Sequence, residues 1–206
     1  MTNSKFDFDL IVIGAGYGGF DAAKHAAENG LKVAIVESGD MGGTCVNKGC
    51  VPSKALLAAS GKVREIANYE HLEKFGIHTS PVRFERSKIS EHANNLVLNI
   101  RENVTKTLTR IGVKIIRGHG RIESHQKVGV RNKNGVDQIF SCTNIIIATG
   151  SSPFVPRGIT VDNRTVFTSD EAVKLEWLPR WIAIIGSGYI GLEFVDVYTA
   201  LGCEVT

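Results

Sequence analysis

Two apolar patterns alternate along this chain: short unbroken runs, and longer stretches in which apolar side chains recur every third or fourth position. The run Asp9-Leu10-Ile11-Val12-Ile13 does not alternate with polar residues and predicts a parallel strand buried on both faces. It feeds Gly14-Ala15-Gly16-Tyr17-Gly18-Gly19, an Ala-rich helical stretch from Phe20 to Asn29 stopped by Gly30, and a second strand from Lys32 to Glu37. Beyond Lys54, the positions Leu56, Ala59, Val63 and Ile66 recur at helical spacing, and Tyr69 to Pro81 reads as a polar connection. A second long helix is predicted from Phe84 to Ile111, with Ile89, Leu96, Ile100, Val104 and Leu108 as its apolar stripe.

From Gly112 the period changes. Val113 to Ile116 predicts a strand, and Gly120 to Val130 with Gln138-Ile139-Phe140 predicts short antiparallel strands around the turn Asn132-Lys133-Asn134-Gly135. Asn144 to Ile147 predicts another buried strand, ending in the small-residue turn Ala148 to Pro153. Phe154 to Leu178 is proline-punctuated and reads as an irregular connection. At Trp181 the opening pattern returns: Ile182 to Ile185, Gly186-Ser187-Gly188-Tyr189-Ile190-Gly191, a helix from Leu192 to Leu201, and the first residues of a strand from Cys203. This second unit stops before its strand is complete, so the residue that would separate NAD from NADP lies beyond Thr206.

Composition narrows the class. The chain has 206 residues, 43% hydrophobic and 22% charged, the profile of a soluble globular protein. A net charge of +3 with no basic, aromatic-interleaved run gives no reason to expect nucleic acid. No apolar run reaches membrane-spanning length, and Met1 to Asp9 has the character of neither a signal nor a transit peptide. Four cysteines without a secretory signal point to a reducing compartment, where a persistent disulfide is usually catalytic. Cys142 and Cys203 lie in apolar, strand-like surroundings and read as packing residues. His71, His78, His92, His119 and His125 are scattered, and no acid or nucleophile spacing singles one out for catalysis.

The candidate chemistry sits in two places. The spacing G-x-G-x-x-G between a strand and a helix lets a backbone approach a pyrophosphate at the helix start, and Glu37 at the end of the next strand is placed to hold a ribose. The second is Gly42-Gly43-Thr44-Cys45-Val46-Asn47-Lys48-Gly49-Cys50-Val51-Pro52-Ser53-Lys54, which reads as a redox-active cysteine pair beside a flavin. Two buried structural cysteines or half of a zinc site are the alternatives, but no second Cys/His pair of suitable spacing appears, so no metal is expected. Regular helix would hold the alpha carbons of i and i+5 roughly 8 to 9 Å apart, beyond the roughly 4.4–6.8 Å a disulfide spans. The segment therefore cannot be regular helix from Cys45 through Cys50 while bridged; Gly49 and Pro52 offer the means to break it. A helix start at Cys50 would favour an anionic sulfur there.

Two dinucleotide units flanking this Cys-x4-Cys segment resemble the FAD/NAD-linked disulfide oxidoreductases, and the resemblance covers essentially the whole chain. Within that family, Pro-Ser-Lys and Gly-Tyr-Ile-Gly-Leu-Glu resemble the dihydrolipoamide dehydrogenase branch, and the opening residues with Lys-Ala-Leu-Leu-Ala-Ala-Ser-Gly-Lys-Val-Arg-Glu resemble its cyanobacterial or plastid type. Mercuric and glutathione-type reductases are the same-class alternatives, and a non-catalytic FAD-binding fragment is the different-class one. The resemblance implies an α/β fold: a Rossmann-like FAD-binding domain with three-layer ββα architecture and a small antiparallel β-meander over 1–150, a connection over 151–180, and the start of a second Rossmann-like, NAD-binding domain over 181–206.

It also implies roles. Gly14, Gly16 and Gly19 with Glu37 would hold the ADP half of FAD, Gly42, Gly43 and Thr44 its pyrophosphate, Gly120 its adenine, and Thr149 with Gly150 a third contact. Cys45 would be the interchange thiol, Cys50 the flavin-facing thiol, and Lys54 the cation near the flavin. Gly186, Gly188, Tyr189 and Gly191 would carry NAD, with Tyr189 as a gate and Glu193 near the nicotinamide. The implied activity is oxidation of protein-bound dihydrolipoamide, with lipoyl domains of 2-oxo-acid dehydrogenase E2 or the glycine-cleavage H protein as partners, in a cytoplasmic or plastid-stromal homodimer. Family members are about double this length and supply a His-Glu acid-base pair from a carboxy-terminal interface domain. That pair is not in this sequence, so the chain is expected to be truncated and inactive alone.

Overall fold

The computed structural model describes residues 5–206; the first residues of the amino-terminal segment considered above as a targeting signal lie outside the described residues. The elements run β1 (Phe8–Ile13), α1 (Tyr17–Glu28), β2 (Val33–Glu37), α2 (Gly43–Asn47), α3 (Cys50–Ala67), α4 (Tyr69–Glu73), α5 (Arg86–Arg110), β3 (Lys114–Arg117), β4 (His119–Ser124), β5 (Lys127–Arg131), β6 (Asp137–Ile147), α6 (Ser169–Ala172), β7 (Trp181–Ile182), α7 (Tyr189–Ala200) and β8 (Glu204–Val205). They divide into two compact units, one made by the chain up to Asn47 with Leu98–Ser152, the other by Lys48–Val97 with Pro153–Thr206.

The first unit is built on a six-stranded sheet of order β3-β2-β1-β6-β5-β4. The runs without polar alternation form its centre. Leu10 pairs with Val33 on one side and Asn144 on the other, both parallel, and Ile11, Val12, Ala34 and Ile35 have no exposed surface. This is the burial on both faces that an unbroken apolar strand requires. One core cluster joins Leu10, Val12, Val33 and Ile35 to Ala23 of α1 and Val104 and Leu108 of α5. A second joins Ile11, Ile13, Ala34 and Val36 to Val128 and Val130 of β5 and to Cys142. Cys142 and Cys203 are both buried, as the sequence predicts.

Several expectations change in detail. The separate strands predicted at Gln138–Phe140 and Asn144–Ile147 are one strand, β6, antiparallel to β5 through its first half and parallel to β1 through its second. The polar stretch between them does not break it, because Ser141 pairs with Lys127 and its N–H and hydroxyl both donate to the Asp7 carboxylate, at 2.7 and 2.8 Å. Those two bonds hold the Asp7 carboxyl below its ordinary range. The far end of β6 is not the buried strand predicted: Ile146 and Ile147 are exposed. On α5, Leu96 is exposed while Ala93, Val97, Val104 and Leu108 are buried, so the buried face is not the predicted stripe in the first half of the helix.

The second unit packs Ala55 and Leu56 of α3, Ala93 of α5, Ala172 and Val173, and Phe194, Val197, Tyr198 and Leu201 of α7 into one cluster. Inside the expected irregular connection, α6 is capped by Thr168, whose side chain and that of Glu171 form a reciprocal capping box. The polar connection after Asn68 likewise holds a short helix, α4. The apolar run Ile182 to Ile185 is paired only at its start: β7 and β8 are parallel, Ile184 donates to Thr206, and Ile185 is exposed.

Candidate functional site

In the first unit, the carboxyl ends of β1, β2 and β6 open on a cleft of about 440 Å³. Gly14, Gly16, Glu37, Gly42, Gly43, Thr44, Cys45, Thr149 and Gly150 line it, with Tyr17, Gly18, Ala148 and Ser151. Nearly every residue the sequence reading assigned to FAD in this unit thus meets in one place. Gly14 has φ +105° and stands where a β carbon would lie 2.1 Å from the Ala148 carbonyl oxygen; at Gly19 it would lie 1.9 Å from the Gly14 carbonyl oxygen. Strand, turn and helix can pack this closely only on glycine.

The N-cap of α1 is Gly16, with no side-chain cap, so the amide groups of the first turn stay available to a ligand. The Glu37 carboxylate staples the turn from below, accepting from Ala15 N–H and from Gly39 N–H, each at 2.7 Å. Glu37 also lines the cleft, where its carboxylate has acceptor capacity left for a ligand hydroxyl. Uncapped amides, a close glycine cradle and an acid at the end of β2 form a donor and acceptor set that fits a dinucleotide. Gly120 is placed differently: it packs on Ile13 and Val36, each about 3.0 Å from where its β carbon would be, and it does not line the cleft.

The glycine pair ahead of the cysteines is docked on the first glycine turn. Gly42 N–H donates to Ala15 O at 2.8 Å, and a β carbon on Gly43, φ +59°, would meet the Gly16 Cα at 2.6 Å. This docking carries α2, with Thr44 and the half-buried Cys45, to the cleft wall. The sequence reading missed what braces α2. Asn47 Nδ2 donates to the carbonyls of Gly43 (2.8 Å) and Met41 (3.2 Å). Arg101 Nε donates to Asn47 Oδ1, while Arg101 also pairs with Asp40 at 3.0 Å. No local pattern announces this brace, since Arg101 and Asn47 are 54 positions apart.

Helix stops at Asn47 and restarts at Cys50, the interruption that a bridge between the two cysteines would require, although the two are not disulfide-bonded here. Gly49 is the N-cap of α3 with a backbone neither helical nor extended (φ −129°, ψ −117°) and no side-chain cap. Cys50, an exposed free thiol, is the first residue of this 18-residue helix.

Within the second unit, α3 is tied to acids at three points. Lys48, just ahead of it, reaches Asp170 at 2.7 Å; Lys54 reaches Glu193 of α7 at 2.5 Å; and Arg64 pairs with Asp196. Lys54 and Glu193, assigned separately to the flavin and the nicotinamide by resemblance, are therefore direct partners. The Gly186 to Gly191 turn repeats the first glycine turn in its backbone. Gly186 has φ +113°, a β carbon on Gly191 would lie 2.2 Å from Gly186 O, and Gly188 is an N-cap without a side-chain cap. Tyr189 opens α7 and is exposed. This turn and uncapped helix fit a second dinucleotide on two of the first site's grounds, the glycine cradle and the free amides.

Comparison with known proteins agrees with this geometry. Residues 8–206 match the family model described as pyridine nucleotide-disulphide oxidoreductase. The chain is 60% identical over 204 residues to a dihydrolipoyl dehydrogenase of Synechocystis, covering 99% of this chain and 43% of that protein. It is 57% identical to a chloroplastic dihydrolipoyl dehydrogenase 2 of Arabidopsis thaliana, covering 99% of this chain and 35% of that protein. The crystal structure of LpdA from Mycobacterium tuberculosis superposes with a TM-score of 0.85 at 30% identity, over 95% of this chain and 43% of that one. The chain thus spans less than half the length of the relatives it matches.

Proposed function

Because the chain belongs to the pyridine nucleotide-disulphide oxidoreductase family, we propose that the polypeptide carrying it is a dihydrolipoyl dehydrogenase, in which Cys45 and Cys50 cycle between disulfide and dithiol. The observation that carries this reading is the break between α2 and α3, which leaves Cys45 on the wall of a dinucleotide-type cleft and Cys50 at a helix start. We assign an FAD-binding domain to 1–150, a connection to 151–180, and the beginning of an NAD-binding domain to 181–206.

Gly14, Gly16, Gly19 and Glu37 would hold the adenylate half of FAD, with Gly42, Gly43 and Thr44 along the pyrophosphate and Thr149 with Gly150 as a third contact; Gly120, which does not line the cleft, would act at most through its packing on Ile13 and Val36. Gly186, Gly188, Tyr189 and Gly191 would hold NAD. When bound, FAD supplies an acceptor for an electron pair, and NAD a final acceptor for hydride.

The chain's own part is thiol-disulfide exchange. One thiolate of a dihydrolipoyl group attacks Cys45 Sγ, the Cys45–Cys50 bond breaks, and Cys50 leaves as a thiolate at the start of α3. The second substrate thiolate then displaces Cys45, closing the lipoyl disulfide. Two electrons have moved into the protein dithiol. The Lys54–Glu193 pair would keep a cation and an acid placed beside this centre. The lipoyl group would be presented by a lipoyl domain of an E2 component or by an H protein, to a homodimer in cytoplasm or plastid stroma.

Turnover of lipoamide, glutathione disulfide and mercuric ion separates the reading from its same-class rivals. We expect NAD-linked turnover of dihydrolipoamide by the polypeptide, lost at least a thousandfold in Cys45→Ser; retained turnover in that variant, or preference for either other substrate, contradicts it.

A further inference from the structure

The sequence between the cysteines contains one charged side chain, Lys48, and the second unit holds it at an acid far away in the chain. Lys48 Nζ lies 2.7 Å from Asp170 Oδ2, across 122 positions. The two ends of the pair differ. The Asp170 side chain is 13% exposed and that of Lys48 47% exposed. Asp170 lies in the first turn of α6, behind the Thr168–Glu171 capping box that fixes this turn independently of Lys48. A carboxylate this buried is costly unless a cation meets it, and the cation is supplied by the residue that precedes the helix break at Gly49.

We propose that Lys48 and Asp170 are positioning residues for the dithiol centre: their ion pair pins the turn from which Cys50 begins α3 and keeps the local charge neutral, thereby setting the disulfide/dithiol equilibrium. This rests on the thiol-exchange reading above and extends it to two residues that reading gives no role. An unpaired ammonium two residues from Cys50 favours the thiolate form, and an unpaired carboxylate held in the same place disfavours it. Removing one partner therefore moves the equilibrium in the direction of the charge left behind.

The test uses the FAD-loaded polypeptide equilibrated in glutathione redox buffers, with Cys45 and Cys50 scored by alkylation and mass spectrometry. In this equilibrium two glutathione thiols are oxidised to one glutathione disulfide as the protein disulfide is reduced. Asp170→Asn is expected to shift the equilibrium three- to tenfold toward dithiol, and Lys48→Met by a similar factor toward disulfide; three- to tenfold corresponds to roughly 15–30 mV for a two-electron couple. The double variant should return to within about twofold of wild type, and Lys48→Arg, which keeps the pair, should stay there as well. Should Lys48→Met fail to fold with its buried carboxylate orphaned, Asp170→Asn and the double variant carry the test. Shifts of the same sign in both single variants, no shift in Asp170→Asn, or a double variant displaced like a single one overturns the proposal while leaving the exchange reading intact. A wild-type protein whose two cysteines form no disulfide in any buffer overturns both.

Discussion

Gly19 shows how one missing side chain fixes a site. A β carbon there would sit 1.9 Å from the Gly14 carbonyl oxygen, a backbone atom that cannot swing aside. Gly19→Ala must therefore push α1 off the end of β1, at an overpacking cost of roughly 1–3 kcal/mol. A lowered melting midpoint and purified protein poor in FAD are expected. Gly18→Ala is the comparison: nothing lies within 4 Å of its β carbon, so its melting midpoint should stay at the wild-type value. Equal melting of the two variants would contradict the packing argument. Spacing alone made Gly14, Gly16 and Gly19 readable, because the turn they form between β1 and α1 is local, although the close approach of Gly14 to Ala148 is not. The docking of Gly43 on Gly16 and the Arg101–Asn47–Gly43 brace were not readable, since they depend on how distant segments meet.

Helix α5 carries the same lesson over 25 residues. Its period was evident, but a period gives a stripe without saying where along the helix each core begins. Ala93 belongs to one cluster and Val104 with Leu108 to another. Leu96, on the predicted stripe, is 36% exposed, whereas Leu108 is fully buried. Leu108→Ala should cost about 2–5 kcal/mol as a cavity in the first unit's core, and Leu96→Ala no more than about 0.5 kcal/mol, read as a shift in urea midpoint. A large loss at Leu96 would restore the sequence-based stripe. Strand β6 escaped the sequence reading because Ser141 and its polar neighbours look like a turn. Pairing with Lys127, with Phe8 and Leu10 of β1, and with the Asp7 carboxylate makes them strand. The helix α6 was legible in principle, since Thr168 and Glu171 have the spacing of a capping box.

For the molecule as a whole, the titration of a buried group links the second unit's core to pH. Burial pushes the Tyr198 phenol up to about 12, against the smaller opposing effect of the Arg86 guanidinium nearby. Burial in turn lowers Arg86 from its ordinary range, against the opposing effect of the Tyr198 phenol beside it. The folded value exceeds the unfolded value near 10, so the folded state holds this proton longer than the unfolded state. Stability is therefore intact below about pH 10 and falls as pH rises toward about 12, by at most about 1.4 kcal/mol per pH unit for this one group. Tyr198→Phe should flatten that alkaline fall relative to wild type in urea titrations at pH 9 to 12; an unchanged slope would mean the phenol contributes nothing to it.

In the proposed function Cys45, on the wall of the dinucleotide cleft, and Cys50 act as one redox pair that passes electrons to FAD. The most direct test of this is the visible spectrum of the purified polypeptide before and after anaerobic dihydrolipoamide. A flavin spectrum that gains a long-wavelength thiolate-to-flavin band on adding the dithiol, and fails to gain it in Cys50→Ser, is the predicted result. A protein that binds no flavin, or a bound flavin whose spectrum the dithiol leaves unchanged, would contradict it.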